Sequence, residues 1–148
     1  MFKSILVLCT GNICRSPFAE AALNKLLPNI EVTSAGIATD KNGLQGVPAD
    51  KVAVEMALKY GVDMSEHRAK QVDQFLIDQH DLILTMDREQ LEQLCQLFPE
   101  ARAKSWVLGH WIGMSSIDDP YQKSDVIFNQ VYSVIDNSVR AWVRKFKA

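Results

Sequence analysis

The apolar run Ile5-Leu6-Val7-Leu8 passes without a spacer into Cys9-Thr10-Gly11-Asn12-Ile13-Cys14-Arg15-Ser16-Pro17, and no other stretch restricts the fold so strongly. Four consecutive apolar residues suit a central strand buried on both faces. Ser16-Pro17 reads as a helix start, with Ser16 as the N-cap and Pro17 at the first helical position, where a missing N–H is tolerated. Between strand and helix lies a five-residue loop bracketed by a cysteine and an arginine. Gly11 and Asn12 are residue types that tolerate a positive φ. Such a loop can curl its backbone N–H groups onto one point, with the Cys9 sulfur below and the Arg15 guanidinium alongside. A nest of this kind at a helix N-terminus binds a phosphate dianion, and its positive field favours a thiolate nucleophile. A cysteine six positions before an arginine is common by itself. Cys, Gly, Asn, Cys, Arg and Ser at these fixed places arise by accident in roughly one chain of this size per million.

The rest of the chain alternates strand and helix signals. Helices are predicted over about 17–27, 48–60 with Gly61 in the helix-stop position, within 69–78, over about 88–97 and over about 124–146; strands are predicted at 30–33, 82–84 and 106–108. This order implies an α/β three-layer sandwich: a four-stranded parallel sheet flanked by helices, with the phosphate-binding loop after the first strand. Sites in such sheets lie beyond the strand carboxyl ends, where the strand order switches. Cys9 directly follows the first strand. Segments 38–48 and 109–124 are the longest without clear periodicity, and long loops in compact domains are often functional.

Composition narrows the function classes. At 148 residues and 47% hydrophobic content, residues 1–148 are expected to form one domain with a substantial core. A net charge of −2 supplies no basic field for nucleic acid or an anionic membrane. The apolar runs are too short for membrane insertion and the first eight residues lack a cleavable signal pattern. Three cysteines do not make a secreted disulfide framework, so a reducing, cytoplasmic setting is expected. None of the three histidines stands at metal-ligand spacing with a cysteine or carboxylate, and Cys9 with Cys14 is not a zinc-type pair. No metal or other cofactor is expected.

The string from Cys9 to Ser16 resembles the signature of low-molecular-weight protein tyrosine phosphatases. Ser34-Ala35-Gly36, Gly61-Val62-Asp63 through His67, Met86-Asp87 and Asp118-Asp119-Pro120-Tyr121 match further landmarks of that family in order, so the resemblance covers essentially the whole chain. Leu108-Gly109-His110-Trp111 onward to Tyr121 looks most like the bacterial members that act beside capsule and exopolysaccharide tyrosine kinases. The resemblance implies hydrolysis of phosphotyrosine through a cysteinyl-phosphate. Cys9 would be the nucleophile, Arg15 the clamp on two phosphoryl oxygens, and Asp119 the general acid, with Asp118 the competing carboxyl. Thr10, Gly11, Asn12, Ile13, Cys14 and Ser16 would hold the substrate, and Tyr121 would stack on its ring. Asn12, Ser16, Ser34 and His67 would form a hydrogen-bonded network supporting the loop. Partners would be phosphotyrosine proteins, including an autophosphorylating bacterial tyrosine kinase. Loops 38–48 and 109–124 would lie on the rim of the site.

Several of these residues have ordinary readings when taken alone. Asp-Pro-Tyr is a common turn opening, Ser34 a turn residue, and His67 beside Glu66 and Arg68 a surface histidine. Cys14 is open between a small buried hydrophobe and a redox partner that shields Cys9. Cys95 falls with Leu91, Leu94 and Phe98 on an apolar helical face, and Trp142 and Phe146 read as core.

Three other functions are weighed. A thioredoxin-coupled arsenate reductase needs further relay cysteines, and only Cys95 lies near the relevant helix. A phosphoarginine phosphatase of this family carries threonine where this chain has Ile13, and an apolar branched side chain suits an aryl group better. A silent phosphopeptide-binding module would have lost Cys9, Arg15 or the acid, and all are present. One departure concerns the pocket wall: animal members place a tryptophan after Ser34 where this chain has about Asp40, with Lys41 and Leu44 nearby. Tyr121 would then be the single aromatic wall.

Overall fold

A computed structural model describes residues 2–147. Strand β1 (Ser4–Cys9) is entirely buried, and its side chains divide by the two-residue period of a strand. Ile5, Val7 and Cys9 enter one core with Phe18, Leu23, Phe128, Tyr132 and Val139. Leu6 and Leu8 enter a second with Val72, Ile77, Ile83 and Leu94. A strand covered on both faces explains why its sequence is continuously apolar, and each fully buried aliphatic side chain stabilises the fold by roughly 1.5–3 kcal/mol.

The sheet has the order β2-β1-β3-β4 and every pairing is parallel, with β2 at Glu31–Gly36, β3 at Leu82–Thr85 and β4 at Ser105–Val107. Helices α1 (Arg15–Leu26), α2 (Lys51–Lys59) and α5 (Asp125–Lys147) supply the first core, while α3 (Gln74–Gln79) and α4 (Arg88–Leu97) supply the second. The predicted sandwich is therefore the observed one. Phe18 of α1 stacks on Tyr132 of α5 at 4.0 Å between ring centroids, fixing how the first and last helices meet over the loop that follows β1. From β1 the chain moves to β2 on one side and then crosses over to β3 on the other, so the carboxyl end of β1 is the switch point.

The differences from the predicted elements have local causes. Strand β2 runs on through Ser34, Ala35 and Gly36 because they pair with Val7, Leu8 and Cys9, although none of the three favours a strand intrinsically. Gly36 is required there: a Cβ would lie 2.8 Å from the Thr10 carbonyl oxygen. Helix α2 starts only after Asp50, whose side chain accepts from Ala53 N–H at 3.1 Å, because Pro48 bridges Arg68 instead. Gly61 has φ 78° and ends that helix as predicted. Helix α3 starts after Asp73, which caps Leu76 N–H at 2.9 Å; the preceding residues bridge to Gly36 and Pro48. Helix α1 begins at Arg15, and its N-cap is Cys14 without a side-chain cap. Ser16 is thus inside the helix, and its hydroxyl is used elsewhere.

Candidate active site

Six consecutive carbonyls, from the last residue of β1 onward, each receive a donor from outside the loop. Cys9 O accepts from Ile37 N at 2.9 Å, Thr10 O from Ala38 N at 2.9 Å and Ile13 O from Asp50 N at 2.9 Å. Gly11 O accepts from Thr39 Oγ1 at 2.9 Å, Asn12 O from His67 Nε2 at 2.6 Å and Cys14 O from the Tyr132 hydroxyl at 2.6 Å. In a planar trans peptide the C=O and the next N–H point in opposite directions. Tying the carbonyls outward therefore turns the N–H groups of the loop inward, toward the mouth above Cys9. Asn12 makes the turn with φ 63°, and its own N–H reaches Cys9 Sγ at 3.2 Å.

Below the loop, Cys9 Sγ also lies 3.0 Å from Ser16 Oγ. Asn12 Nδ2 donates to Ser16 Oγ at 2.7 Å and to Ser34 Oγ at 2.9 Å, while Asn12 Oδ1 accepts from Lys70 N–H at 3.0 Å. The four residues expected to form a network are brought together. His67 donates to a carbonyl, so its Nε2 carries the hydrogen, and burial holds its pKa below the ordinary 6.5.

Arg15 is 4% exposed. Its Nη1 donates to Ile117 O at 2.8 Å, its Nη2 lies 3.9 Å from Asp119 Oδ2, and its Nε is buried with no partner among the described residues. A cleft of ≈ 270 Å³ joins the pieces, lined by Cys9, Thr10, Gly11, Ile13, Cys14, Arg15, Asp119 and Tyr121. Asp119 is half exposed and Oδ1 accepts from Tyr121 N–H at 3.1 Å, an Asx turn that orients the carboxylate. Asp118 does not line this cleft; it lines a neighbouring groove with Asp87 and Glu89, which Arg15 and Asp119 line as well. From segment 38–48 the cleft is lined by Asn42 and Leu44, and not by Asp40.

Cys14 is 3% exposed, and burial pushes its thiol far above the usual range. Cys9, Cys14 and Cys95 are all unpaired. His80 is buried and bonds Leu76 O at 2.7 Å, apart from the cleft. No group of three or more histidine, cysteine, aspartate or glutamate side chains suited to a metal ion occurs among the described residues.

Sequence reasoning missed Tyr132, Lys70 and Glu20 at this site. Tyr132 sits at core spacing with Phe128, Ile135 and Val139, so only its hydroxyl hinted at a second role. Lys70 acts through its backbone, which carries no side-chain signal. Glu20 stands one helical turn after Ser16, a spacing that puts both on one face.

Residues 4–148 match the family described as low molecular weight phosphotyrosine protein phosphatase. The low molecular weight protein-tyrosine-phosphatase Wzb of Escherichia coli K12 is 40% identical, with 100% of this chain and 98% of that protein covered. Among solved structures, Vibrio vulnificus Wzb in complex with benzylphosphonate is similar with a TM-score of 0.95 and 47% identity over 98% of this chain and 99% of that one. The YwlE arginine phosphatase from Geobacillus stearothermophilus is similar with a TM-score of 0.87 and 30% identity over 97% of this chain and 92% of that one.

Proposed function

Because the chain belongs to the low molecular weight phosphotyrosine protein phosphatase family, we propose that it hydrolyses phosphotyrosine in proteins through a phosphorylated Cys9. The observation that carries this reading is the ring of outward-tied carbonyls, which leaves inward N–H groups over a sulfur held by Asn12 and Ser16. Donors fixed in advance where charge develops stabilise a transition state without reorganisation, and loss of one such donor typically lowers kcat about 10²–10³-fold.

In the first step Cys9 Sγ attacks phosphorus in line. An S–P bond forms as the P–O bond to tyrosine breaks. Arg15 and the loop amides hold the three equatorial oxygens, and Asp119 gives its proton to the departing tyrosyl oxygen. In the second step the Asp119 carboxylate takes a proton from water, which attacks phosphorus. Cys9 leaves as the thiolate, accepting from Asn12 N–H and the Ser16 hydroxyl, and inorganic phosphate is released. Ile13 and Tyr121 on the cleft walls suit an aryl ring.

The likeness to two Wzb proteins supports a tyrosine kinase of polysaccharide export, or its phosphorylated partners, as the natural substrate. A cytoplasmic setting fits the unpaired Cys9 and Cys14, since thiols persist in reducing compartments. No described helix is long and apolar enough to cross a membrane.

Phosphate release from phosphotyrosine by Cys9→Ser tests the reading. Essentially all turnover is expected to vanish while oxyanion binding and the circular dichroism spectrum are kept, and the parent is expected to be indifferent to chelator. Retained turnover in Cys9→Ser, or loss of parent activity in chelator, overturns it. The same variant, used as bait for phosphotyrosine proteins in a cell extract, tests the kinase assignment.

A further inference from the structure

Three exposed aromatic side chains converge on one groove at the opposite end of the sheet from the cleft above Cys9. Phe2 (42% exposed), Trp106 (41%) and Trp111 (40%) line it together with Trp142, Lys145 and Phe146 of α5. Phe2 precedes β1, and Leu82, which also lines the groove, opens β3. The groove therefore lies toward the amino ends of the strands, and it shares no lining residue with the cleft. Trp106 is on β4, the edge strand of the sheet. Single exposed apolar residues are ordinary, but aromatic ones gathered in one concavity mark a binding surface.

The walls are fixed before anything binds, which keeps the ordering cost of binding low. Trp142 Nε1 donates to Leu108 O at 2.7 Å. The rings of Trp106 and Trp111 lie at 19° to each other with centroids 6.3 Å apart, and both meet Trp142 nearly edge-on, at 6.2 and 5.6 Å. Phe2 and Phe146 cross at 5.7 Å and 89°. The groove has a volume of ≈ 430 Å³, inside the range of about 300–1,000 Å³ typical of small-molecule sites. The side-chain polar groups of its lining residues are all donors. They are the three indole N–H groups, of which Trp142 alone has an acceptor among the described residues, and the Lys145 ammonium. That ammonium stands 4.3 Å from the centre of the Trp111 ring and makes no ion pair among the described residues. No carboxylate, amide or hydroxyl side chain lines the groove. Such a lining disfavours a cation and matches an apolar body that ends in an anion.

We propose that this groove is a binding site for a single-chain amphipathic anion, with its alkyl chain against the tryptophans and its terminal anionic group on Lys145. Burial of the chain supplies the affinity and the ammonium supplies the selectivity. A bilayer is the poorer occupant. Contact with an anionic membrane draws on several cations beside an inserted apolar face, whereas Lys145 is the one charged side chain lining this concave surface among the described residues. The site takes no part in the chemistry at Cys9 and does not depend on it.

All three tryptophans of the chain line the groove, so tryptophan emission reports its occupation directly. Sodium decanoate is titrated into the whole chain, with decanol and decyltrimethylammonium as uncharged and cationic probes and calorimetry giving the stoichiometry. Decanoate is expected to bind saturably, one per chain, and about tenfold or more tighter than decyltrimethylammonium. Lys145→Met keeps an apolar stem without the charge, and is expected to weaken decanoate about tenfold while decanol stays within about twofold. Trp111→Ala is expected to weaken both about tenfold. Saturating inorganic phosphate, which would occupy the cleft above Cys9, is expected to leave decanoate binding unchanged. The proposal is overturned if decanoate gives no saturable change, if the cationic probe binds as tightly, if Lys145→Met keeps the preference for the anion, or if phosphate displaces decanoate. Unchanged affinities in Trp111→Ala overturn it equally, and should that variant fail to fold, Lys145→Met decides alone. Sedimentation with phosphatidylglycerol vesicles without binding of free decanoate overturns it in favour of a bilayer. A dimer that Trp111→Ala disperses, again without decanoate binding, overturns it in favour of a second copy.

Discussion

The loop after β1 and the loop before α5 meet over one cleft, but they are held by opposite means. The first is buried at Asn12 and Cys14, half-buried at Thr10, Gly11 and Ile13, and tied at six successive carbonyls, with Asn12 and Ser16 fully enclosed. The second is anchored mainly at its base. Ile117 N–H donates to Met86 O at 3.0 Å, Ser116 bridges Asp87 and Ile117 O receives Arg15 Nη1, yet Asp118, Asp119 and Tyr121 are exposed. The contrast matches two chemical tasks. A site for developing charge gains most from groups that need not move, whereas a carboxyl that serves a large leaving group must leave room for it to enter. Arg15 belongs to both loops, since one nitrogen holds the backbone of the exposed loop and another has no partner among the described residues.

The sharpest way to break this comparison is to change the carboxyl on the exposed loop. Asp119→Asn is expected to reduce turnover of phosphotyrosine on the order of a hundredfold, and distinctly less for an aryl phosphate with an acidic phenol, where leaving-group protonation matters little. Asp118→Asn is expected to show no such contrast. Rates over aryl phosphates of graded phenol acidity read this out, and steepening in Asp118→Asn alone would move the acid one residue back.

A smaller effect belongs to the tied loop, where the backbone of Ile13 is held through its carbonyl by Asp50 N–H. Ile13→Thr removes apolar contact with an aryl ring and adds a hydroxyl, so the preference for phosphotyrosine over phosphoarginine is expected to fall on the order of tenfold. Competition between the two substrates measures it. A parent that prefers phosphoarginine would reverse the substrate assignment, a live comparison given the likeness to an arginine phosphatase.

The smallest effect is on stability and concerns one of the loop's ties. Burial lowers the pKa of His67 below 6.5, so the folded state binds fewer protons there than the unfolded chain. Its contribution is complete above about pH 6.5 and is lost as the pH falls through the folded value. Between pH 7 and 5.5 the parent's Tm is expected to drop by a few degrees more than that of His67→Gln, which keeps a donor for Asn12 O without titrating. Parallel Tm curves would show that this tie does not titrate in that range.

What could be determined from the amino-acid sequence was whatever depends on neighbours in the chain. The apolar run of β1, a positive φ at Gly11 or Asn12, the stop at Gly61 and the strand–helix alternation are short-range matters, and they carried the sandwich and the location of Cys9 with Arg15; that Asn12 alone takes the positive φ is seen only in the fold. Tertiary structure decided the rest because the partners are remote. Asn12 finds Ser34, His67 and Lys70 at separations of 22, 55 and 58 residues, and Cys14 O finds the Tyr132 hydroxyl at 118. Ser16 shows the difference most plainly: its local context reads as an N-cap, but the backbone donors of that first turn face the cleft, and its hydroxyl turns back to Asn12 and Cys9. Asp118 and Asp119, adjacent and chemically alike, likewise differ in their surroundings, since an Asx turn and the buried Pro120 accompany the one whose carboxylate lies 3.9 Å from Arg15. A side chain's type is written in the chain, but the direction of its proton or lone pair is set by whatever the fold packs against it.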